Sequence, residues 1–291
     1  MLEINLDTFK YKSPKEFPDL FFFRMYVVGS SGSGKTYSVN EFTKTIAPFL
    51  DKIYVINPTL DRKLRESGSL VNQYKEYSEC NDACLTTIIG EIKEDINEFK
   101  RYLRYKDIYK RFIKLDIPED VHLPSYLESV GFERKEVRLL QKYDFVSPKI
   151  AFEDFDYTSR PPNSLIIIDD AMGSSIYREG RSPLVNFLIK SRHYKTNIIL
   201  LSQFFKAVPK RLRSNMTHYV VFKTFDKSQL NSIYEEINSY LSYDDFIKMF
   251  EENTREKHSF IMIDLKNQRI TKGFNEVLFR FHENMEEPKN E

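Results

Sequence analysis

An α/β protein built on a mostly parallel sheet is predicted by three observations. Short, nearly unbroken apolar runs, Phe21–Val28, Lys52–Ile56, Leu165–Ile168, Asn197–Leu201 and Tyr219–Phe222, have the composition of strands buried on both faces and alternate with helical patterns. A glycine-rich turn, Gly29-Ser30-Ser31-Gly32-Ser33-Gly34-Lys35-Thr36, joins the first run to a helix. Two later runs end in polar residues, Asp169-Asp170 and Ser202-Gln203, at the carboxyl tips where open α/β sheets place their ligand chemistry.

The elements follow in order. Leu2 to Leu6 alternate briefly before a proline-punctuated connection reaches the first strand. A helix is predicted from Lys35 to Pro48, and the strand from Lys52 stops at Asn57-Pro58. Roughly a hundred residues then pass before the next convincing strand, too many for a crossover. Ile88, Ile92, Ile96, Phe99, Leu103, Tyr109, Phe112 and Ile113 recur there at helical spacing, so a helical insertion is expected over residues 61–147, closing at Pro148. Its cations (Lys100, Arg101, Arg104, Lys106, Lys110, Arg111, Lys114) fit a solvated face better than a DNA surface. The core is expected to comprise residues 1–60 and 148–282. It resumes with a strand at Leu165, a helix over 182–192, and the strands at Asn197 and Tyr219. Helices follow over 227–240 and 243–252, the second opened by Ser242 with Asp245 three residues on. Ser259–Ile263 and Arg269–Phe274 flank a turn and predict a C-terminal hairpin, and the polar Glu283–Glu291 is expected to be a disordered tail.

Composition narrows the class. At 291 residues and 41% hydrophobic content the chain can bury one large core, while 44 basic against 43 acidic residues give no global case for nucleic acid. Contacts to DNA must then come from local patches. No signal peptide or run of membrane-spanning length is read, so a soluble intracellular protein is expected. Cys80 and Cys84 are too few for a disulfide framework and lack histidine companions for zinc; they read as structural thiols.

The glycine-rich turn matches G-x-x-x-x-G-K-[ST] in full and follows a strand, the context that makes it a phosphate-binding loop. Its glycines let backbone N–H groups turn toward an anion, Lys35 can reach β and γ phosphates, and Thr36 offers a hydroxyl ligand to Mg²⁺. Asp169 suits the same Mg²⁺, and Asp170 can polarise an attacking water. Gln203 can hydrogen-bond the γ-phosphate and that water. Arg192, at the end of the preceding helix, either projects toward a neighbouring subunit's nucleotide or satisfies carbonyls at its own helix end. His193 reads as a surface or structural residue. Lys206, Lys210, Arg211 and Arg213 follow within ten residues of Gln203, interleaved with apolar side chains. They read as a phosphate-contacting loop or as snorkelling surface cations, with Arg213 a second candidate to face a nucleotide across an interface.

This series of motifs, with Ser191-Arg192-His193-Tyr194-Lys195-Thr196-Asn197 before the Gln203 strand and Val208-Pro209-Lys210-Arg211-Leu212-Arg213-Ser214-Asn215 after it, resembles the genome-packaging ATPases of large double-stranded DNA viruses. Those belong to the FtsK/HerA group of P-loop motors. The resemblance covers about residues 21 to 225. It implies a RecA-like (ASCE) sheet with the Gln203 strand between the P-loop and Walker B strands, a homo-oligomeric ring, and ATP-driven translocation of double-stranded DNA. It also implies capsid or portal partners, a place in the infected cell or the virion, and a finger role in trans for Arg192. Asp170 stands where the cellular motors carry Glu, and the insertion matches nothing in the family. The expectation is therefore an ATPase using ATP and Mg²⁺, with Lys35, Asp170, Gln203 and Arg192 catalytic. A P-loop kinase and an ATP-dependent assembly switch are the alternatives; no Asn-Lys-x-Asp element for guanine is present.

Overall fold

The computed structural model describes residues 4–17, 20–56, 73–178, 182–237 and 241–281. The chain divides into two compact units, residues 1–10 with 93–161, and residues 11–92 with 162–291.

Among the described residues, the larger unit is built on a nine-stranded sheet. Its strands are β1 (Arg24–Val28), β2 (Lys52–Ile56), β3 (Gln73–Tyr77), β4 (Ser164–Asp169), β5 (Thr196–Ser202), β6 (His218–Phe222), β7 (Phe260–Asp264), β8 (Arg269–Lys272) and β9 (Glu276–Arg280). They lie in the order β3-β2-β4-β5-β1-β6-β7-β8-β9. The first six strands in this row are parallel and the last three antiparallel. The Gln203 strand β5 thus lies between the P-loop strand β1 and the Walker B strand β4, the arrangement that defines the RecA-like class.

Alternation along each parallel strand splits the core in two. Met25, Val27, Ile53, Val55, Leu165, Ile167, Ile199 and Leu201 pack on one face with Val39, Phe42 and Ile46 of helix α1 (Lys35–Ile46). Tyr26, Val28, Tyr54, Ile56, Ile166, Ile168, Ile198 and Leu200 pack on the other face, which buries both sides of the apolar runs and explains their composition.

Two strands differ from the sequence expectation. β3 falls inside the 61–147 stretch read as helical; it is a polar edge strand, Gln-Tyr-Lys-Glu-Tyr, with no apolar run to announce it. The hairpin forms from β7 and β8, then gains β9, whose Glu276–Arg280 is largely exposed.

The long helix α2 (Asp82–Phe112) buries Ile88, Ile92, Ile96, Phe99, Tyr102, Tyr105 and Ile108, a stripe at helical spacing. In the smaller unit, α3 (Leu123–Ser129), α4 (Arg134–Lys142) and α5 (Pro148–Ala151) follow it. Its core is aromatic: Tyr105 meets Tyr143 at 4.8 Å and Phe152 at 6.0 Å between ring centroids, and the Tyr105 hydroxyl donates to the Val146 carbonyl at 2.5 Å. Arg101 and Arg111 of the basic face pair with Glu94 and Glu136.

Among the described residues, the remaining helices of the larger unit are α6 (Pro183–Lys190), α7 (Lys210–Arg213), α8 (Lys227–Ile237) and α9 (Tyr243–Asn253). Ser242 caps α9 by accepting from the Asp245 N–H at 3.1 Å. The expected extension of α8 to residue 240 and the tail 283–291 lie outside the described residues.

Candidate nucleotide site

Three neighbouring strands build one cleft. Pairing sets Asp169 opposite Leu201 and Val28 opposite Ser202, so β4, β5 and β1 release their chains at one edge of the sheet. Ser31, Gly32, Gly34, Lys35, Thr36, Tyr37, Asp169, Asp170, Ser202 and Gln203 line a cleft of about 350 Å³ there. Among the predicted P-loop residues, Gly29, Ser30 and Ser33 shape the loop behind this lining.

The loop's geometry requires its glycines. A Cβ at Gly29 would fall 2.6 Å from Ser33 Oγ and 2.7 Å from Phe222 Cβ. Gly34 has φ +100° and caps α1, so the first N–H groups of that helix face the cleft unpaired by a side-chain cap. Lys35 Nζ donates to the carbonyls of Gly29 at 2.5 Å and Ser30 at 3.0 Å.

The charges here are incompletely satisfied. Burial lowers the Lys35 ammonium from its ordinary range, partly offset by the charges of Asp169 and Asp170. Burial raises the Asp169 carboxyl, with Lys35 and a Thr36 hydrogen bond pulling the other way. Asp170 follows in the left-handed region at φ +50°, which turns its carboxylate back into the same cleft.

Thr36 and Asp169 fit Mg²⁺: a hydroxyl and a carboxylate within hydrogen-bonding reach of each other give hard oxygen donors on the floor of an anion-binding loop.

Gln203 is positioned from beneath. The buried Tyr26 hydroxyl lies 2.6 Å from Ser202 Oγ and 2.9 Å from the carbonyls of Phe204 and Phe205, which fixes the turn at the end of β5.

Sequence reasoning missed two neighbours of this site. His258 Nδ1 lies 3.0 Å from the Ser33 carbonyl. Tyr177, on a single turn after the Walker B strand, is buried and finds no hydrogen-bond partner among the described residues; burial and the nearby Tyr26, Cys80, Asp169 and Asp170 raise its hydroxyl. Neither belongs to a motif: the pairing of β7 with β6 brings His258 here, and Tyr177 follows β4 within eight residues.

The structure separates the other predicted residues from the cleft. Arg192 and His193 are exposed on the turn that enters β5, at the opposite edge of the sheet from Gln203. Lys206, Lys210 and Arg211 are exposed beyond Gln203, beside the exposed Phe204. Arg213 departs from the expectation made for it. It is buried, its Nε 3.0 Å from both Glu236 carboxylate oxygens and its Nη1 donating to the Val208 carbonyl at 2.6 Å, with Phe205 beneath its guanidinium. Its charge is paired inside the fold with Glu236 and is not presented at the surface of the chain.

Strand order and cleft together define a P-loop ATPase of the RecA-like class. Residues 128–272, just under half of the chain, match the family model of the Poxvirus A32 protein. No curated protein matches the chain. Among solved structures it is similar to the DNA-packaging ATPase B204 of Sulfolobus Turreted Icosahedral Virus, at 16% identity over 86% of this chain and 96% of that one, TM-score 0.47. The genome packaging NTPase B204 of Sulfolobus turreted icosahedral virus 2, in complex with AMPPCP, is 15% identical over 89% and 99%, TM-score 0.48. ATPases 2 and 3 of EssC from Geobacillus thermodenitrificans are 15% identical over 72% and 34%, TM-score 0.41.

Proposed function

We propose that this chain is an ATP-hydrolysing motor that packages a double-stranded DNA genome into a viral capsid, working as a homo-oligomeric ring. The observation that carries the reading is the convergence of three strand tips: Walker B acids, a polar sensor and the phosphate loop reach one cleft from β4, β5 and β1. The family match supplies the viral setting.

The roles follow from placement. Loop N–H groups and Lys35 take the β and γ phosphates, and Lys35 shifts from its carbonyl partners to phosphate oxygens. Thr36 and Asp169 would hold Mg²⁺, which would supply positive charge against the phosphates. Asp170 accepts a proton from the attacking water, and Gln203 orients that water and reports the γ-phosphate to the chain beyond β5. Lys206, Lys210 and Arg211 lie directly on that continuation, so hydrolysis and a phosphate-gripping surface share one segment. Arg192 completes a neighbouring subunit's site. Capsid or portal proteins dock the motor in the infected cell.

This polar edge favours water as acceptor over a kinase's second substrate. The test is steady-state ATP hydrolysis with and without linear duplex DNA. Stimulation of several fold is expected. Turnover indifferent to DNA would point to an assembly switch, and phosphate transfer to a small acceptor would point to a kinase.

A further inference from the structure

The topology brings a residue to the phosphate loop that no motif assigns. β7 runs antiparallel to β6, so the segment entering β7 arrives at the edge where β1 and β6 end; Phe222 pairs with Phe260. His258 lies two residues before β7, held at φ +67°, and its imidazole reaches the loop. Its Nδ1 is 3.0 Å from the Ser33 carbonyl, and because a carbonyl only accepts, Nδ1 carries the proton. The imidazole also covers Gly34: a Cβ built there would fall 2.9 Å from His258 Nδ1 and 3.1 Å from its Cβ.

The location matters because Ser33 and Gly34 form the last peptide before the helix whose free N–H groups face the cleft. Gly34 is left-handed, a conformation glycine visits freely and leaves as freely. Nothing in the loop's own side chains pins it: Ser33 Oγ is buried with no hydrogen-bond partner among the described residues, and Gly34 gives no side-chain cap.

We propose that His258 is a positioning residue for nucleotide binding, a latch from the antiparallel half of the sheet that holds the Ser33–Gly34 peptide in its anion-binding geometry. The inference rests on reading the cleft as the ATP site. It predicts that the latch acts on affinity: His258 holds the loop ready for phosphate, and the hydrolytic groups Asp170 and Gln203 stand just beyond the ends of β4 and β5.

Two substitutions separate the latch from a structural role. His258→Gly keeps the left-handed backbone and removes the donor. His258→Asn tolerates the same φ and returns an N–H donor close to the Nδ1 position. In the full-length protein, His258→Gly should raise KM for ATP and the dissociation constant for a non-hydrolysable ATP analogue by about three- to tenfold, the worth of one net hydrogen bond. The turnover number should stay within about twofold, and His258→Asn should restore most of the affinity. Amide hydrogen exchange over residues 29–36 of nucleotide-free protein should quicken in His258→Gly and return toward wild type in His258→Asn. Unchanged affinity and exchange in His258→Gly, or no rescue by His258→Asn, overturns the latch. Faster loop exchange in a protein that binds no ATP analogue even as wild type would sustain the latch and overturn the nucleotide reading instead. A His258→Gly variant that melts well below wild type, with His258→Asn no better, would show an ordinary structural contact.

Discussion

Two aspartates close strands at opposite edges of the same sheet, and their surroundings push them in opposite directions. Asp169 ends β4 in the cleft: burial raises its carboxyl, and Lys35 and Thr36 recover only part of the loss. Asp264 ends β7 at the far edge. Burial pushes it up as well, but His218, 3.2 Å away, with bonds from Asn267 at 2.7 and 3.0 Å, reverses that and holds it well below the usual carboxylate range. Arg269 adds a contact at 3.1 Å. The fully partnered acid stabilises the fold. The under-partnered one keeps coordination capacity for a ligand, at a cost in stability.

Removing charge at the two edges should therefore give crossed results, the largest in the cleft. Lys35→Ala should reduce hydrolysis by on the order of a thousandfold or more, roughly 4 kcal/mol of transition-state stabilisation. The melting midpoint should hardly move, because the ammonium is itself poorly solvated in the folded state. Turnover within a few fold of wild type would remove the cleft from the mechanism. Arg192→Ala tests whether the far edge also contributes catalysis, from one subunit to the next. A loss near a thousandfold is expected, with partial recovery when its subunits are mixed with Lys35→Ala subunits, since some junctions then combine an intact loop with an intact Arg192. Co-assembled mixtures that stay inactive would deny Arg192 the trans role.

Asp264→Ala should leave per-molecule turnover near wild type and lower stability by about 3 kcal/mol, the cost of stranding the buried partners of a broken pair. Its pH dependence has a fixed sign. A carboxyl held below its unfolded value binds its proton less readily when folded, so its stabilisation is complete above about pH 4 and drains away as pH falls toward the folded value. Denaturant titrations at successive pH values should show that acid loss in wild type and a shallower one in Asp264→Ala. Equal slopes would mean that Asp264 is not the acid-sensitive group.

The same contrast explains what the sequence disclosed. That the phosphate loop, Asp169 and Gln203 stand at strand tips was legible because their placement depends on local backbone: a glycine turn after a strand, and polar residues where apolar runs end. The helical stripe of α2 was legible from its 3.6-residue period. β3 was hidden because an edge strand needs no apolar run, and β9 because a short exposed strand carries little pattern. His258 and the His218–Asp264 pair depend on how β7 registers against β6, which no local signal encodes. Arg213 looked like its three cationic neighbours, and its pairing with Glu236 on α8, 23 residues on, is what no local pattern announces.

That last distinction yields the smallest and most selective prediction. Lys206, Lys210 and Arg211 remain exposed on the segment that leaves Gln203, so they can meet phosphates, whereas Arg213 is committed to Glu236, Phe205 and the Val208 carbonyl. Each exposed cation that pairs with a DNA phosphate releases about one counterion, worth roughly 1 kcal/mol near 0.15 M salt. Neutralising the three to Gln should weaken binding to any duplex sequence alike and flatten the plot of log affinity against log salt by up to about three units. Basal hydrolysis without DNA should be unaffected, because none of the three lines the nucleotide cleft. Arg213→Gln should do the reverse, lowering the melting midpoint while leaving the salt slope of whatever folded protein remains unchanged. A triple variant with the wild-type slope would move the DNA surface off this segment. A flattened slope in Arg213→Gln would show that its pairing with Glu236 opens when DNA binds.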